Sequence, residues 1–344
     1  MNLDRFSVAT FNLYNLQLPG DHMNPGQKPW TEEEFERKAA WISGQLRSLD
    51  ADVVGFEECW SRDALAQVLA HDGLDAEYEL LADAATGSRI VCAAMVRNGL
   101  RDGRDPEWIR DFPVALKLES NDLSDVQAEH IAVDIDTFSR PVLNFQVRLR
   151  DDPEPLTEVF VTHFKSKLPT RIDQETWFQQ NTALYKPHVT AIGSAISTIR
   201  RTAEATALRV LLNGVMDESD TPVIVLGDCN DGQHSNTLNI LTGQPRYLVG
   251  DSAGGADTGL YTAQTLQEYR DTRDVYYTHV FQDLRESLDH VLVSEQFYDN
   301  SRKRRWLFNG LVINNDHLNT EDHKANGSTD HGVVQVHFKW KPVR

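Results

Sequence analysis

The most constraining feature of this sequence is a repeated way of ending a strand: short, continuously apolar runs stop abruptly at a carboxylate, an amide or an imidazole. Val223-Ile224-Val225-Leu226 passes into Gly227-Asp228-Cys229-Asn230-Asp231-Gly232, and Val53-Val54-Gly55-Phe56 into Glu57-Glu58. Val159-Phe160-Val161-Thr162 likewise meets His163, and Val8-Ala9-Thr10-Phe11 meets Asn12. Asp289-His290 and Asp330-His331 do the reverse, opening Val291-Leu292-Val293 and Gly332-Val333-Val334. Apolar runs without alternation are strands covered on both faces. In neighbouring antiparallel strands the end of one lies beside the start of the next, so these polar groups are expected to gather on one rim. Charge set against apolar strands is costly to bury, and a shared purpose accounts for that cost.

Further strands are expected at 78–82, 90–96, 130–138 and 142–149, beside those at 6–13, 52–56, 159–162, 223–226, 288–293 and 332–339. Thr31 and Glu34 form a capping box, after which Phe35, Ala39, Ile42, Leu46 and Leu49 recur on one helical face. Residues 64–71 form a second helix closed by Gly73, and a long helix runs from about 187 to 216. Helices mixed with strands that often follow one another directly imply two packed sheets flanked by helices, with the N- and C-terminal halves each supplying roughly one sheet. With no repeat, low-complexity tract or linker, residues 1–344 are expected to form a single domain.

Composition narrows the function classes. No apolar run approaches the ~20 residues of a membrane span, and the N-terminus lacks the pattern of a secretory signal, so a cytoplasmic protein is expected. Three scattered cysteines, Cys59, Cys92 and Cys229, do not make a disulfide framework and are expected to be reduced and buried. A net charge of −18 works against a long polyanionic partner. Arg302-Lys303-Arg304-Arg305 and Arg200-Arg201 are the runs that would supply a local basic strip. Nucleic acid is left open as a partner, and the oligomeric state is not legible.

The gathered groups have a definite chemistry. Glu58, Asp228, Asp330, Asn12 and Asn230 are oxygen ligands without thiolates, a set that suits Mg²⁺ or Mn²⁺. Close carboxylates repel unless a cation or proton intervenes. Asp228 and Asn230, two apart, point the same way in extended backbone. Asp289 with His331 adds an acid–base element, because a carboxylate orients the imidazole and favours its protonated form. Asp316-His317 and Asp322-His323 precede no apolar strand and read as solvated loop.

Together, "VATFNLYNL", "DVVGFEEC", "VTHFKSK", "VIVLGDCND", "SLDHVLVS" and "STDHGVVQV" resemble the motifs of the endonuclease/exonuclease/phosphatase superfamily, in that family's order and across most of the chain. The resemblance implies an α/β fold of the four-layered sandwich type, with a metal at one edge of two mixed sheets. It implies Glu58 as the principal metal carboxylate, with Asn12 and Asp330 beside the ion. Asp228 would align or deprotonate the attacking water, Asn230 would hold it or the phosphate, and His331 would be the catalytic histidine, oriented by Asp289. His163 resembles the position that binds the scissile phosphate, with Lys165 and Arg89 as further phosphate contacts. Glu57 replaces a common glutamine, Cys229 an apolar residue and His290 a frequent tyrosine; Glu57 is expected to add negative charge near the metal.

The resulting expectation is a metal-dependent hydrolase of phosphate esters, first a phosphodiesterase with nuclease action included. A monoesterase for a small soluble phosphate, and a catalytically silent binding protein on the same fold, are the alternatives. Substrate selection is expected in the loops 15–30, 165–185 and 250–274.

Overall fold

The computed structural model describes residues 2–83, 87–120, 130–244, 258–271, 277–319 and 322–343. In chain order the strands are β1 (Arg5–Leu16), β2 (Val53–Cys59), β3 (Tyr78–Leu81), β4 (Val91–Arg97), β5 (Glu107–Asp111), β6 (Glu119–Ser120), β7 (Ile131–Ala132) and β8 (Thr137–Val147). They continue with β9 (Thr157–His163), β10 (Val223–Asp228), β11 (Leu260–Thr262), β12 (His279–Phe281), β13 (Leu284–Glu286), β14 (Asp289–Ser294), β15 (Trp306–Asn314) and β16 (Val333–Trp340). The helices are α1 (Glu32–Leu49), α2 (Arg62–His71), α3 (Thr176–Gln180), α4 (Thr182–Tyr185), α5 (Val189–Met216), α6 (Asn236–Thr242), α7 (Ala263–Glu268) and α8 (His323–Asn326).

Two six-stranded sheets, β15-β16-β1-β2-β4-β3 and β11-β14-β10-β9-β8-β5, pack face to face. Each has a parallel pair at its centre, β1 with β2 and β9 with β10. Between them lie Phe6, Val8, Val53, Val161, Ile224, Leu226 and Val291. The sheets approach closely at Gly55, where a Cβ would stand 3.0 Å from Val161 Cγ1 and 3.1 Å from Leu226 Cβ. The outer face of the first sheet takes Phe35, Ile42 and Leu46 of α1 and Leu65 and Val68 of α2. That of the second takes Leu208 and Leu212 of α5 and Leu238 and Leu241 of α6. The result is an α/β/β/α sandwich, and both continuously apolar strand types are explained by cover on both sides. The Thr31–Glu34 capping box is formed, with Glu34 N donating to Thr31 Oγ1 at 3.2 Å and Thr31 N to Glu34 Oε2 at 2.9 Å.

The chain is less cleanly halved than expected. β15 and β16 return to the first sheet, β16 pairing with β1, while β5 and β8 belong to the second. The expected strand at 142–149 is the greater part of β8, whereas of 130–138 only residues 137–138 join β8 and 131–132 form β7; Pro141, which cannot donate to a ladder, falls where the β5 register shifts between Ile109 and Asp111. β15 escaped notice because Gly310 interrupts its apolar pattern, at a register shift between Phe308 and Gly310. Of the loop 250–274, residues 250–257 and 272–274 lie outside the described residues, and much of the rest is β11 and α7. Among the described residues no helix is long and apolar enough to cross a membrane, and all three cysteines are free and buried.

Candidate active site

Side chains alternate along a strand, and here the alternation carries the core face straight into the rim. On β10, Ile224 and Leu226 point between the sheets, and Asp228 continues the same parity. The ladders set His163 of β9 on one side of Asp228 and Asp289 of β14 on the other. In the first sheet Asn12 of β1 is paired with Glu57 of β2, in phase with Val8 and Val53. Two hydrogen bonds then tie the sheets together. Asn12 Nδ2 donates to Asp228 Oδ2 at 3.2 Å, and His331 Nδ1 faces Asp289 Oδ2 at 2.8 Å and Oδ1 at 3.1 Å. β10 can approach β9 this closely only through Gly227 (φ 151), where a Cβ would stand 2.0 Å from Thr162 O.

The other groups arrive by irregular backbone. β1 and β2 both lose register at the rim, between Asn12 and Leu16 and between Phe56 and Cys59. Tyr14, Asn15 and Glu58 there have φ of 50°, 55° and 58°, left-handed conformations that cost a non-glycine residue energy. Local bonds hold them: Asn15 N donates to Glu58 Oε2 at 2.9 Å, Tyr14 N to Asn12 Oδ1 at 3.0 Å, and Trp60 Nε1 to Asn15 Oδ1 at 2.8 Å. A bulge of this kind re-aims a side chain, and it brings Glu58 to the cleft although its neighbour Glu57 keeps the core-facing parity. After Asp228 the chain turns rather than remaining extended: Asn230 has φ 53°, and its N–H donates to Asp228 Oδ1 at 2.8 Å.

A cleft of about 430 Å³ opens over this rim. Glu58, His163, Asp228, Asn230, Asp330 and His331 line it together with Ser166, Lys167, Leu168 and Pro169 from the segment after β9. The hairpin β12–β13 adds His279, Phe281 and Glu286. Hollows of about 580 and 680 Å³ elsewhere do not contain the buried ionisable cluster. Asn12 and Asp289, both fully buried, are not among the lining residues. Lys165 is half-buried beside the cleft, its Nζ 3.4 Å from Ser166 Oγ and Leu168 O, and it is Lys167 that lines the cavity. Arg89 lies exposed in the bend before β4, away from the lining.

Burial dominates the electrostatics. It pushes the Asp228 carboxyl up to about 7, opposed by His331 and reinforced by Asp289. Glu58 is raised by burial and then by Asp330. Burial works against charge on His331, yet Asp289 and Asp228 outweigh it and hold the imidazole well above its ordinary value. His163 is pushed well below by burial, with Arg140 adding, so it is a neutral ring; its Nε2 lies 3.5 Å from Asp228 Oδ2. Glu57 corrects an expectation. Fully buried, accepting from Thr10 Oγ1 at 2.8 Å, it is raised well above the carboxylate range by burial and by Asp289. The neutral acid is favoured, and it stands in for a glutamine without adding charge.

Several groups were not legible in the sequence. Lys38 of α1 is fully buried behind the rim, its Nζ 4.8 Å from the Trp30 ring and 5.2 Å from the Tyr14 ring. Burial lowers its pKa to about 7 against the pull of Asp330 and Glu58. His317, expected in a solvated loop, sits in the short turn Asp316–Asn319, with Nε2 2.8 Å from His331 O and its ring 4.9 Å from that of Trp41. It braces the backbone that presents His331. His279 bridges to His331 in the ladder, with ring centroids 4.9 Å apart. Four members of the basic runs are held in ion pairs: Arg305 pairs with Glu154, Lys303 with Glu295 at 3.4 Å, Arg201 with Asp231 at 3.2 Å and Arg200 with Glu204 at 3.4 Å, while Arg302 is exposed.

The donors fit a hard divalent cation. Glu58, whose pKa burial and then the charge of Asp330 raise, and Asp330 both line the cleft and both are oxygen ligands. Two triplets, His279/Asp330/His331 and Asp228/Asp289/His331, also bring ligand atoms within 4.8 Å of one another. In the second triplet the His331 Nδ1 is already engaged by Asp289, which makes it a hydrogen-bonded acid–base pair rather than a ligand set.

The profile of the Endonuclease/Exonuclease/phosphatase family matches residues 9–331. Among solved structures, TDP2 of D. rerio complexed with single strand DNA product is similar in fold, with TM-score 0.53 and 15% identity over 97% of this chain and 99% of that one. The human Nocturnin catalytic domain with bound sulfate anion gives 0.55 and 13% over 99% and 97%. An endonuclease/exonuclease/phosphatase from Bacteroides vulgatus gives 0.54 and 12% over 98% and 99%. No curated protein matches the chain in sequence. With the motif order, the two-sheet sandwich and the rim all in agreement, this chain belongs to the endonuclease/exonuclease/phosphatase family.

Proposed function

We propose that the protein is a divalent-metal-dependent phosphodiesterase that hydrolyses its substrate by in-line attack of water. The observation that carries the diester reading is the charge of the cleft. Glu58, Asp228, Glu286 and Asp330 line it, whereas Lys167 is its one Lys or Arg among the described residues. Lys167 is itself paired, 2.5 Å from Glu286 and 3.6 Å from Asp231. Such a cleft tolerates the single charge of a diester better than the double charge of a monoester.

Glu58 and Asp330, with the Asn12 amide, would hold Mg²⁺ or Mn²⁺, which when bound supplies positive charge to the phosphate and leaving oxygens. The protein's own groups do the rest. Asp228, fixed by Asn12 and by the Asn230 N–H, orients the attacking water and takes its proton; a carboxylate raised to about 7 is a stronger base than an ordinary one. His331, held by Asp289, presents its Nε2–H to a phosphate oxygen as an imidazolium. His163, neutral, offers a hydrogen bond to the same group, and Asn230 holds the water or the phosphate. Lys165 and Arg89 are not among the residues that line the cleft and are assigned no contact.

The D. rerio TDP2 structure holds a single-stranded DNA product, which supports nucleotide diesters as one substrate class. The net charge of −18 and the ion pairs that engage Arg200, Arg201, Lys303 and Arg305 favour short or small diesters over a long polyanion. Hydrolysis of bis(4-nitrophenyl) phosphate and 4-nitrophenyl phosphate, each with Mg²⁺ and Mn²⁺, tests the reading. The diester is expected to be cleaved faster and only with metal; a faster monoester would overturn the proposal.

A further inference from the structure

Among the described residues three imidazoles line the cleft, those of His163, His279 and His331, and hydrolysis has no use for that of His279. His279 begins β12 and bridges to His331 as an antiparallel cross-strand pair. Residues directly opposite in such a pair project from the same face, and here the ring centroids lie 4.9 Å apart. Backbone bonds of the preceding residue pin the pair. Gly332 N donates to Thr278 O at 2.6 Å, Thr278 N to Glu286 O at 2.9 Å, and Leu288 N to Thr278 Oγ1 at 2.9 Å. The position of His279 against the rim is thus set by main chain and by Thr278, not by its own ring.

That ring meets a carboxylate. Ligand atoms of His279, Asp330 and His331 lie within 4.8 Å of one another. Among the described residues neither the half-buried His279 ring nor the half-buried Asp330 carboxylate takes part in a hydrogen bond or ion pair. His331 is engaged by Asp289 through Nδ1, which leaves its Nε2, 3.9 Å from Asp228 Oδ2, without a hydrogen bond. An imidazole whose other nitrogen is held by a carboxylate is the usual form of a metal-bound histidine. Two imidazoles and one carboxylate suit a transition metal with open positions, whereas Mg²⁺ prefers oxygen. Zn–N bonds of about 2.0 Å set tetrahedral donors about 3.3 Å apart, and rotation of the unbonded His279 and Asp330 side chains supplies that closure.

We infer that His279, Asp330 and His331 form a second cation site, selective for Zn²⁺ over Mg²⁺, whose occupation inhibits the enzyme. The inhibition rests on the phosphodiesterase reading, through the role given there to His331. Zn²⁺ takes the Nε2 lone pair, the proton that Nε2 carried in the imidazolium leaves to solvent, and the Nδ1–H stays on Asp289. The N–H that would meet a phosphate oxygen is then gone. A carboxylate has two oxygens, so Asp330 serves this ion and one held with Glu58 together, and inhibition does not require loss of the hydrolytic cation.

Titration of the Mg²⁺-saturated protein with Co²⁺, followed by visible absorption, reads the site without turnover; Zn²⁺ inhibition of bis(4-nitrophenyl) phosphate hydrolysis reads its consequence. One equivalent of Co²⁺ is expected to give the strong band of a four- or five-coordinate ion, which Zn²⁺ then abolishes. Zn²⁺ should lower turnover by roughly 10²-fold, the share of an acid–base group. His279→Phe, which keeps a ring against His331, and His279→Ala should lack the band, match the parent in melting temperature and in turnover without Zn²⁺, and need roughly 10–100-fold more Zn²⁺ for inhibition. A band undiminished in both variants, or inhibition that excess Mg²⁺ fully reverses, would overturn the site. A band present in the parent with turnover untouched by Zn²⁺ would overturn the inhibition and the role of His331 while leaving the site. A parent that shows the band but cleaves no diester would overturn the phosphodiesterase reading and not the site.

Discussion

The two kinds of backbone that meet at the rim divide the site between them. Asp228, His163 and Asp289 sit in unbroken ladders, and their positions follow from strand register alone. Glu58 and Asn230 stand in left-handed conformations, Glu58 where the ladder has lost register and Asn230 in the turn just beyond β10, while Asp330 and His331 precede β16. The ladder set gathers hydrogen-bonding and proton-handling groups, and the irregular set adds the carboxylates Glu58 and Asp330 that would hold a cation, together with Asn230 and the imidazole of His331. Register positions a group rigidly along a strand but on one of two faces only. Turning a second carboxylate toward the same cleft takes a bulge, and the strain is met by bonds such as Asn15 N to Glu58 Oε2.

The comparison breaks most visibly through the bond that joins the sets. His331→Ala is expected to lower kcat by roughly 10²–10⁴-fold with the fold intact, since the side chain contacts the rim and not the inter-sheet core; Asp289→Ala should follow it. Steady-state turnover with a thermal melt on each variant checks this. Next is the ladder itself. Gly227→Ala places a Cβ against Thr162 O, and denaturant unfolding should show a loss of roughly 3 kcal/mol or more.

The irregular set is sharpened by pH. Without a cation burial holds the Asp228 carboxyl at about 7, with Glu58 raised in the same direction, so at pH 6 Asp228 holds a proton that a cation expels. Metal binding should release protons at pH 6 and few at pH 8, and affinity should rise with pH up to about 7. Calorimetry in buffers of different ionisation enthalpy measures both. Lys38, lowered to about 7, is a cation below that pH and competes with the metal. Lys38→Met should tighten binding several-fold at pH 6 and converge with the parent at pH 8. Smallest of all, Glu57→Gln should change stability by less than about 1 kcal/mol, because burial and Asp289 already favour the neutral acid at that position.

Much of the ladder set was legible in the sequence, because apolar runs that end in Asp228, His163 and Asp289 report both strand and rim. The helix α1 was legible through its cap and spacing. The partition of strands was not: nothing local shows that β16 crosses back to pair with β1, a contact between residues more than three hundred positions apart. β15 was hidden by Gly310, and the bulge at Glu58 by the very regularity of the run before it. Lys38 and His317 were invisible for a different reason. A lysine on an amphipathic helix and a histidine in a polar loop are surface residues by local rules; only the packing of α1 buries Lys38, and only the Asp316–Asn319 turn draws His317 half-buried against the backbone of His331.

The central claim is that both sheets feed one metal-dependent diesterase centre, with Asp228 at their junction. Turnover of bis(4-nitrophenyl) phosphate by Asp228→Ala at saturating Mn²⁺, in protein whose melting temperature matches the parent, tests it most directly. The account predicts a loss of several orders of magnitude; near-normal turnover in that folded variant would contradict it.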